Sequence, residues 1–326
     1  MQSAAKRKEP VTWALHDGRI GIRNQAVGLA EAIGFPVVEK LLLVRRPWRW
    51  LLPQLWLAPL RAGGPGSDPL GPPWPDVLVT AGRQGVAPAL AIQRASGGRT
   101  FLVQVQDPHA SRARFDVLVL PEHDRARGSN VVTSRGAVHH VTPAKLADAA
   151  ARLGPRFAHL PRPLVAVLIG GQNKVYSFDM GTLGALADRL ADLARRHGAG
   201  LLVTPSRRTG AAGERLLREK LAGLPAYVWD GAGENPYFAF LALADAIVVT
   251  EDSVSMVTEA ASTGKPVHVA GLAGGSRKFR RFHDLMRAAG VTRPFTGALE
   301  RWSYAPVDDT ARIGAEIRGR VAARAA

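Results

Sequence analysis

The sequence predicts an α/β protein of two Rossmann-like domains with parallel sheets whose strand ends face a central cleft. Three observations point there. Short apolar runs recur without polar alternation, the pattern of strands covered on both faces. Segments of helical period separate them, and that alternation makes a doubly wound sheet. The pattern restarts once, after a Pro-spaced segment, and 326 residues suit two domains of about 100–200 residues each.

VTWAL is the first strand, and HDGRIGIRNQ leads from it into a helix that ends near Gly34. PVVEKLLLV is the second strand. The Pro/Gly-rich loop RAGGPGSDPLGPPWP precedes DVLVTAG, a buried strand, and VAPALAIQRA is the helix after it. FLVQVQD and DVLVLPEHD follow as strands, with NVVTSRGAVHHV as the last of this half. PRFAHLPRP has few apolar residues to bury, so the linker falls near residues 155–163 and the domains run 1–158 and 159–326. PLVAVLIGG opens the second half as a strand, followed by the loop QNKVYSFD. In the next helix Leu183, Leu186, Leu190 and Leu193 share one face, and Gly198 ends it. GLLVTP, AYVWD, DAIVV and PVHVAG are the remaining strands, and a helical tail begins near Thr310.

Lysine and arginine number 43 against 27 acidic residues, a formal net charge of +16. Such an excess favours anionic partners, although a composition rich in Ala, Gly, Pro and Arg together accounts for part of it. No nucleic-acid reading module accompanies the charge, so nucleic acid is not an expected partner. The chain has no cysteine, which excludes disulfides, iron–sulfur clusters and thiolate zinc sites and fits a reducing compartment. The start, MQSAAKRKEP, is basic without an apolar run behind it, and no run approaches the ~20 residues that span a bilayer. The expectation is a cytoplasmic protein, free or held peripherally on the inner face of the inner membrane.

In such folds the loops after strand C-termini carry the chemistry. HDGRIGIRNQ offers His16, Asp17, Asn24 and Gln25 beside glycines that let a ligand approach the backbone. It is not the spaced G-x-G-x-x-G fingerprint, which disfavours an NAD enzyme. TAGRQG carries Arg83 and Gln84, and QDPH carries Asp107 and His109. Alone, each is most often a turn residue bonding its own backbone. Three such loops on one cleft favour general-base chemistry, with Asp17 or Asp107 as the base and His16 or His109 next. Glu122, His123, Asp124 and the pair His139–His140 lack ligand spacing, and adjacent histidines on a strand point to opposite faces. No metal site is expected.

In the second half GGQNKVYSF places Gly170, Gly171, Asn173 and Lys174 after a strand. TPSRRTG adds Ser206, Arg207 and Arg208, suited to a diphosphate. Asn235 and Tyr237 precede a helix, and GGSRKFRRFHD carries Arg277, Lys278, Arg280 and Arg281 beyond a strand. Basic clusters are most often solvated surface, but two of these fall beside TEDSVSMVTEAASTGKP, residues 250–266. A helix from Asp252 or Ser253 to Gly264, stopped by Pro266, puts Val254, Val257 and Ala261 on an apolar face. Ser255, Glu259 and Ser262 then share a polar one. The bland alternative is a capped surface helix. A helix N-terminus at the end of a parallel strand favours anions.

HDGRIGIRNQAVGLAEAIG, GGQNKVYSF and ENPYFAFLALADAIVVTEDSVSMVTEAASTGKPV resemble the mitochondrial fission ELM-type family, over nearly the whole chain. In plan the chain is also similar to GT-B glycosyltransferases such as the bacterial enzyme that adds N-acetylglucosamine to the lipid-linked peptidoglycan precursor. The resemblance implies a GT-B-like fold and a nucleotide-sugar activity, as glycosyltransferase or sugar epimerase, whereas plant members recruit a fission factor. It places Glu259 where the GT-B family has a ribose-binding Glu. Ser253 and Ser255 would then face the diphosphate with Arg207 and Arg277, and Thr250, Glu251, Asp252 and Met256 would complete the pocket. The chain departs from the peptidoglycan enzyme in GGQNKVYSF and TEDSVSM, which leaves the base and the sugar open.

The leading expectation is a metal-independent glycosyltransferase with no tightly bound cofactor. Its donor substrate is a nucleotide-diphospho-sugar of UDP type, and its acceptor is lipid-linked or in the cell envelope. A nucleotide-sugar epimerase and a non-catalytic membrane-associated adaptor are the alternatives. Residues 41–60, LLLVRRPWRWLLPQLWLAPL, add an anionic membrane surface as an expected partner. Trp48, Trp50 and Trp56 lie there among leucines, beside Arg45, Arg46 and Arg49. The plain alternative is a core-packing strand and helix broken at Pro47 and Pro53.

Overall fold

In the computed structural model, which describes residues 9–325, the apolar runs become strands covered on both faces. The basic start, residues 1–8, lies outside the described residues. The first unit contains β1 (Thr12–His16), α1 (Ile20–Ile33), β2 (Val37–Leu41), β3 (Val77–Ala81), α2 (Val86–Ala95), β4 (Phe101–Val105), β5 (Val117–Pro121) and β6 (Val131–Ser134). Its six strands are parallel, in the order β2-β1-β3-β4-β5-β6. Ala14, Val79 and Val103 point to the face covered by α1, while Leu15, Leu78 and Leu102 point to the face covered by α2. With both faces covered, the central strands β1, β3 and β4 are buried throughout, whereas the edge strand β2 leaves Val38 and Glu39 exposed.

The second unit contains α3 (Pro143–Leu153), β7 (Leu164–Ile169), β8 (Tyr176–Ser177), α4 (Met180–His197), β9 (Gly200–Pro205), α5 (Gly210–Lys220) and β10 (Ala226–Val228). It continues with α6 (Tyr237–Leu243), β11 (Ala246–Thr250), α7 (Val254–Ala261), β12 (Val267–Ala270), β13 (Ala273–Gly274), α8 (Arg277–Ala288) and β14 (Thr292–Pro294). Six of these strands form a parallel sheet in the order β10-β9-β7-β11-β12-β14, and β8 pairs with β13 in a short antiparallel ribbon. Leu183, Leu186 and Leu190 of α4 pack on one sheet face with Leu217 of α5. Residues of α3, α6, α7 and α8 cover the other.

The boundary between the units differs from the expected one. The second unit spans Val141–Val307, and the first regains the chain from Asp308 onward. Helix α3 precedes the Pro-spaced segment, yet its Ala149 and Leu153 share a core with Phe240 and Leu241. Phe157 and Leu160 of the segment itself are buried there, so it is not the sparse linker expected. Helix α9 (Thr310–Ala325), expected to close the second domain, instead puts Ile313 and Ile317 into the core of the first. Gly314 permits that approach, since a Cβ there would lie 2.4 Å from the backbone of Ala32.

NVVTSRGAVHHV is also shorter as a strand than expected. Pairing stops at Ser134, whose hydroxyl donates to the carbonyl of Gly136 and turns the chain. His139 and His140 therefore lie in an irregular segment and not on a strand. His139 is buried, and Nδ1 of His140 lies 3.0 Å from Glu31. Among the described residues no group of three or more His, Cys, Asp or Glu is placed to hold a metal ion.

His268 in β12 is fully buried, with its ring 5.0 Å from that of Trp302 and 6.4 Å from that of Phe295. Burial lowers its pKa from the ordinary value, opposed by Glu300 and aided by Arg293. The fold thus prefers the neutral ring. Its contribution to stability is complete above the ordinary value of about 6.5 and is lost as pH falls through the lower folded value. Urea unfolding should show lower stability at pH 5 than at pH 7, and His268→Leu should shrink that difference. An unchanged difference would assign the acid sensitivity elsewhere.

Candidate functional site

Each sheet reverses its strand order once, and in open α/β sheets ligands bind beyond the strand ends at such a point. In the first unit the reversal falls between β1 and β3. His16 closes β1, and both of its ring nitrogens are engaged. Nδ1 accepts from the amide of Gly18 at 3.1 Å, so Nε2 carries the proton and donates to Glu39 Oε1 at 2.8 Å. Glu39 is held in turn by Arg23, through two bonds of 2.6 and 2.8 Å that lower its pKa. Asp17 accepts from the amide of Arg19 at 3.2 Å and from its Nε at 2.8 Å. The structure thus gives His16 and Asp17 local partners that order the loop.

The loop after β4 is different in kind. Gln106 and His109 both take positive φ, 72° and 53°, which costs a non-glycine residue about 1–3 kcal/mol and concentrates at functional sites. The amide of Gln106 reaches across to Gln25 of α1, donating at 3.1 Å. Asp107 accepts from the amide of His109 and from Nε of Arg112, each at 2.8 Å, and its second oxygen also pairs with Arg112. That guanidinium holds the Asp107 carboxyl below the usual range. The exposed His109 ring keeps Nδ1 3.5 Å from Asp107 Oδ2. Under it, Thr80 donates to Gln104 within the sheet, and Gln104 Nε2 donates to the carbonyl of Gly82 at 3.1 Å.

In the second unit the reversal falls between β7 and β11. Gly170 and Gly171 follow β7, and the amide of Gly170 donates to Thr250, the last residue of β11, at 2.8 Å. Asp252 is buried there, accepting from Thr250 at 2.6 Å and from the amide of Gly171 at 3.2 Å, with Arg208 Nη1 2.6 Å away. A Cβ on Gly170 would lie 2.3 Å from that carboxylate, and one on Gly171 would lie 2.5 Å from the backbone of Arg208. Only glycine fits at either position. Asn173 ties the next loop down, donating to the carbonyl of Asp252 at 3.3 Å and accepting from the amides of Val175 and Tyr176.

Ser253 is the N-cap of α7, accepting from the amide of Met256 at 3.3 Å, and the helix ends at Ala261, a turn earlier than expected. Val257 and Ala261 are buried, but so is Glu259, so the expected polar face is not a solvated one. Tyr237 donates its hydroxyl to Glu259 Oε2 at 2.6 Å, which brings together two of the residues singled out in the sequence. Burial, reinforced by the Glu259 charge, pushes the Tyr237 hydroxyl well above its ordinary pKa. Asn235 accepts from the amide of Tyr237 at 3.0 Å. Glu251 accepts from the amide of Leu272 at 3.0 Å. Ser206 supports Gly170 by donating to its carbonyl at 2.9 Å. The basic residues Lys174, Arg207, Arg208, Arg277 and Lys278 are all exposed, and Arg208 also reaches inward to Asp252. Ser255 and Met256 are half-buried in the first turns of α7.

The sequence profile of the family described as Mitochondrial fission ELM1 matches residues 20–321. The chain belongs to that family. A relative carrying the name, mitochondrial fission protein ELM1 of Arabidopsis thaliana, is 35% identical over 277 residues. That match covers 77% of this chain and 65% of the plant protein, so it spans just under two thirds of the relative's length. Among solved structures, UDP-GlcNAc 2-epimerase from Methanocaldococcus jannaschii is similar with a TM-score of 0.55 and 12% identity, over 96% of this chain and 99% of that one. Os79 from O. sativa, solved in complex with U2F and trichothecene, is similar with a TM-score of 0.53 and 12% identity, over 96% and 94%. The chain therefore has the α/β fold of GT-B glycosyltransferases and epimerases.

Several residues that shape these loops carry no motif in the sequence. Thr80 and Gln104 were visible as polar interruptions in VLVTA and FLVQV. Arg112 and Gln106 gave no signal, because their roles rest on a turn geometry that composition does not encode. Tyr176 and His283 are buried beside Glu251: His283 Nε2 donates to its carbonyl at 2.9 Å, and burial raises the Tyr176 pKa, with the charges of Glu251 and Asp252 adding.

Proposed function

We propose that the protein is a metal-independent glycosyltransferase that takes a nucleotide-diphospho-sugar, of UDP type, at the β7–β11 reversal of its second unit. The observation that carries this reading is the combination found there: a helix N-terminus at the strand end, and the buried carboxylate of Glu259 deeper in the same helix. An N-terminus favours the diphosphate, and an ionised acid accepts from a ribose diol. Arg207 and Arg277, exposed at neighbouring strand ends, supply cations for the leaving diphosphate. Thr250, Glu251, Asp252, Ser253, Ser255, Met256, Gly170, Gly171, Asn173, Lys174, Ser206, Arg208, Asn235, Tyr237 and Lys278 shape or line that pocket. The acceptor is lipid-linked or in the cell envelope. Residues 41–60 bring the protein to an anionic surface on the inner face of the inner membrane, and no helix among the described residues is long and apolar enough to cross it.

The general base in this reading is His109. His16 and Asp17 have their bonding committed to Glu39, Gly18 and Arg19, and the Arg112 guanidinium lowers the basicity of Asp107, which leaves that carboxylate to orient the His109 ring. Once a donor is known, His109→Ala should lower kcat by about 10²–10⁴-fold, and Asp107→Asn by less. Wild-type turnover in His109→Ala would return the role to Asp17, Asp107 or His16.

The direct test of the reaction class is a panel of nucleotide sugars, screened first for thermal stabilisation and then for products. Transfer to an added lipid acceptor supports the glycosyltransferase. Conversion of the nucleotide sugar without acceptor would instead make the protein an epimerase, and stabilisation by none of the panel would favour the adaptor.

A further inference from the structure

The long connection between β2 and β3 divides its apolar side chains into two sets. An antiparallel bridge between Val44 and Gly63 closes its neck, and two short turns, Pro53–Leu55 and Pro59–Arg61, fix its course. Trp56 and Ala62 are buried, and Trp48, Leu51 and Leu60 pack with them against the core under α2. The intervening residues point the other way: Trp50 is 65% exposed, Leu52 60%, Leu55 57% and Leu57 98%. Single exposed apolar residues need no explanation, but such a concentration on one ordered segment does.

The charge around them selects the partner. From Leu41 to Ser67 the chain has no acidic residue, while Arg45, Arg46, Arg49 and Arg61 lie among the apolar ones. The guanidinium of Arg46 stacks over Trp50 at 4.5 Å and that of Arg45 over Trp48 at 5.0 Å. Two copies meeting through this face would oppose arginine with arginine. An anionic bilayer answers both halves of the pattern, with headgroups for the guanidinium groups and the interface for Trp and Leu.

We infer that residues 48–61 form a preformed foot that docks the first unit on an anionic bilayer, with Trp50, Leu52, Leu55 and Leu57 entering the interface. The foot is braced against the strand ends of its own unit: Arg83, which follows β3, donates to the carbonyl of Arg49 at 2.8 Å and to that of Leu51 at 3.5 Å. A lipid-anchored acceptor held at that surface lies beside the Gly82–Arg83 loop. This deepens the proposed function by naming the contacting side chains, and it shares with that reading only the membrane surface.

Flotation of the full chain with vesicles tests it without any nucleotide, so it succeeds or fails apart from the donor reading. The wild type should float with phosphatidylcholine–phosphatidylglycerol vesicles and remain behind with phosphatidylcholine alone. Leu55→Ser/Leu57→Ser and Arg46→Glu/Arg49→Glu should each cut the bound fraction on anionic vesicles by roughly tenfold, with unchanged melting temperature. Arg83→Ala, which removes the brace on Arg49 and Leu51 but none of the inserting side chains, should weaken binding less than either double variant. Equal flotation on both vesicle types, undiminished binding by the two double variants, or a loss of dimers in place of a loss of flotation would overturn the inference.

Discussion

Arg208→Ala is expected to destabilise the second unit by about 3 kcal/mol, because it strands a buried carboxylate. Asp252 has no exposed side-chain surface, and Arg208 is its cation at 2.6 Å. The hydroxyl of Thr250 and the amide of Gly171 remain to it, which keeps the loss at the low end for a broken buried pair. For a unit of this size the melting temperature should fall by roughly 6–12 °C. Removing the charge as well, in Arg208→Ala/Asp252→Asn, should recover part of the loss, and that non-additivity identifies the ion pair as the cause. Gly170→Val should damage the same spot from the other side, by driving a side chain into the carboxylate. Calorimetric melting of the wild type, Arg208→Ala, Asp252→Asn, the double variant and Gly170→Val checks this. A melting temperature within a degree or two of wild type for Arg208→Ala would mean that Asp252 finds another partner.

The second large effect concerns Glu259. Its loss should weaken nucleotide binding by about ten- to a hundredfold, the value of hydrogen bonds to a charged acceptor. Glu259→Ala also leaves the buried Tyr237 hydroxyl without its acceptor, so some stability is lost with it. Glu259→Gln separates the two. The amide oxygen still accepts from Tyr237, but the negative charge offered to a ribose diol is gone. Binding should therefore fall in both variants and stability mainly in the first. Equal affinity in wild type and Glu259→Gln would remove Glu259 from the ribose.

The fold was legible where burial is local. DAIVV has no polar alternation because both faces of β11 are covered, and Gly198 in the left-handed region ends α4 as its sequence suggests. Ser253 announced the start of α7 by its capping chemistry. Long-range choices were not legible. Nothing in the last helix says that Ile313 and Ile317 bury against α1 and not in the unit just completed. The site was half legible for the same reason. Gly170, Gly171 and Asp252 were found as strand-end residues, but neighbouring arginines look alike in SRRT, and only the fold turns Arg208 to Asp252 and leaves Arg207 outside. His16 looked available until the pairing of β1 with β2 brought Glu39 to its ring.

The central claim is that the β7–β11 reversal binds a nucleoside diphosphate, and calorimetric titration of the wild-type chain with uridine, guanosine and cytidine diphosphates tests it most directly. Saturable binding of one nucleotide per chain, tightest for uridine diphosphate and weakened in Glu259→Gln, is the predicted result. Absence of binding by all three, with the protein folded, would contradict it.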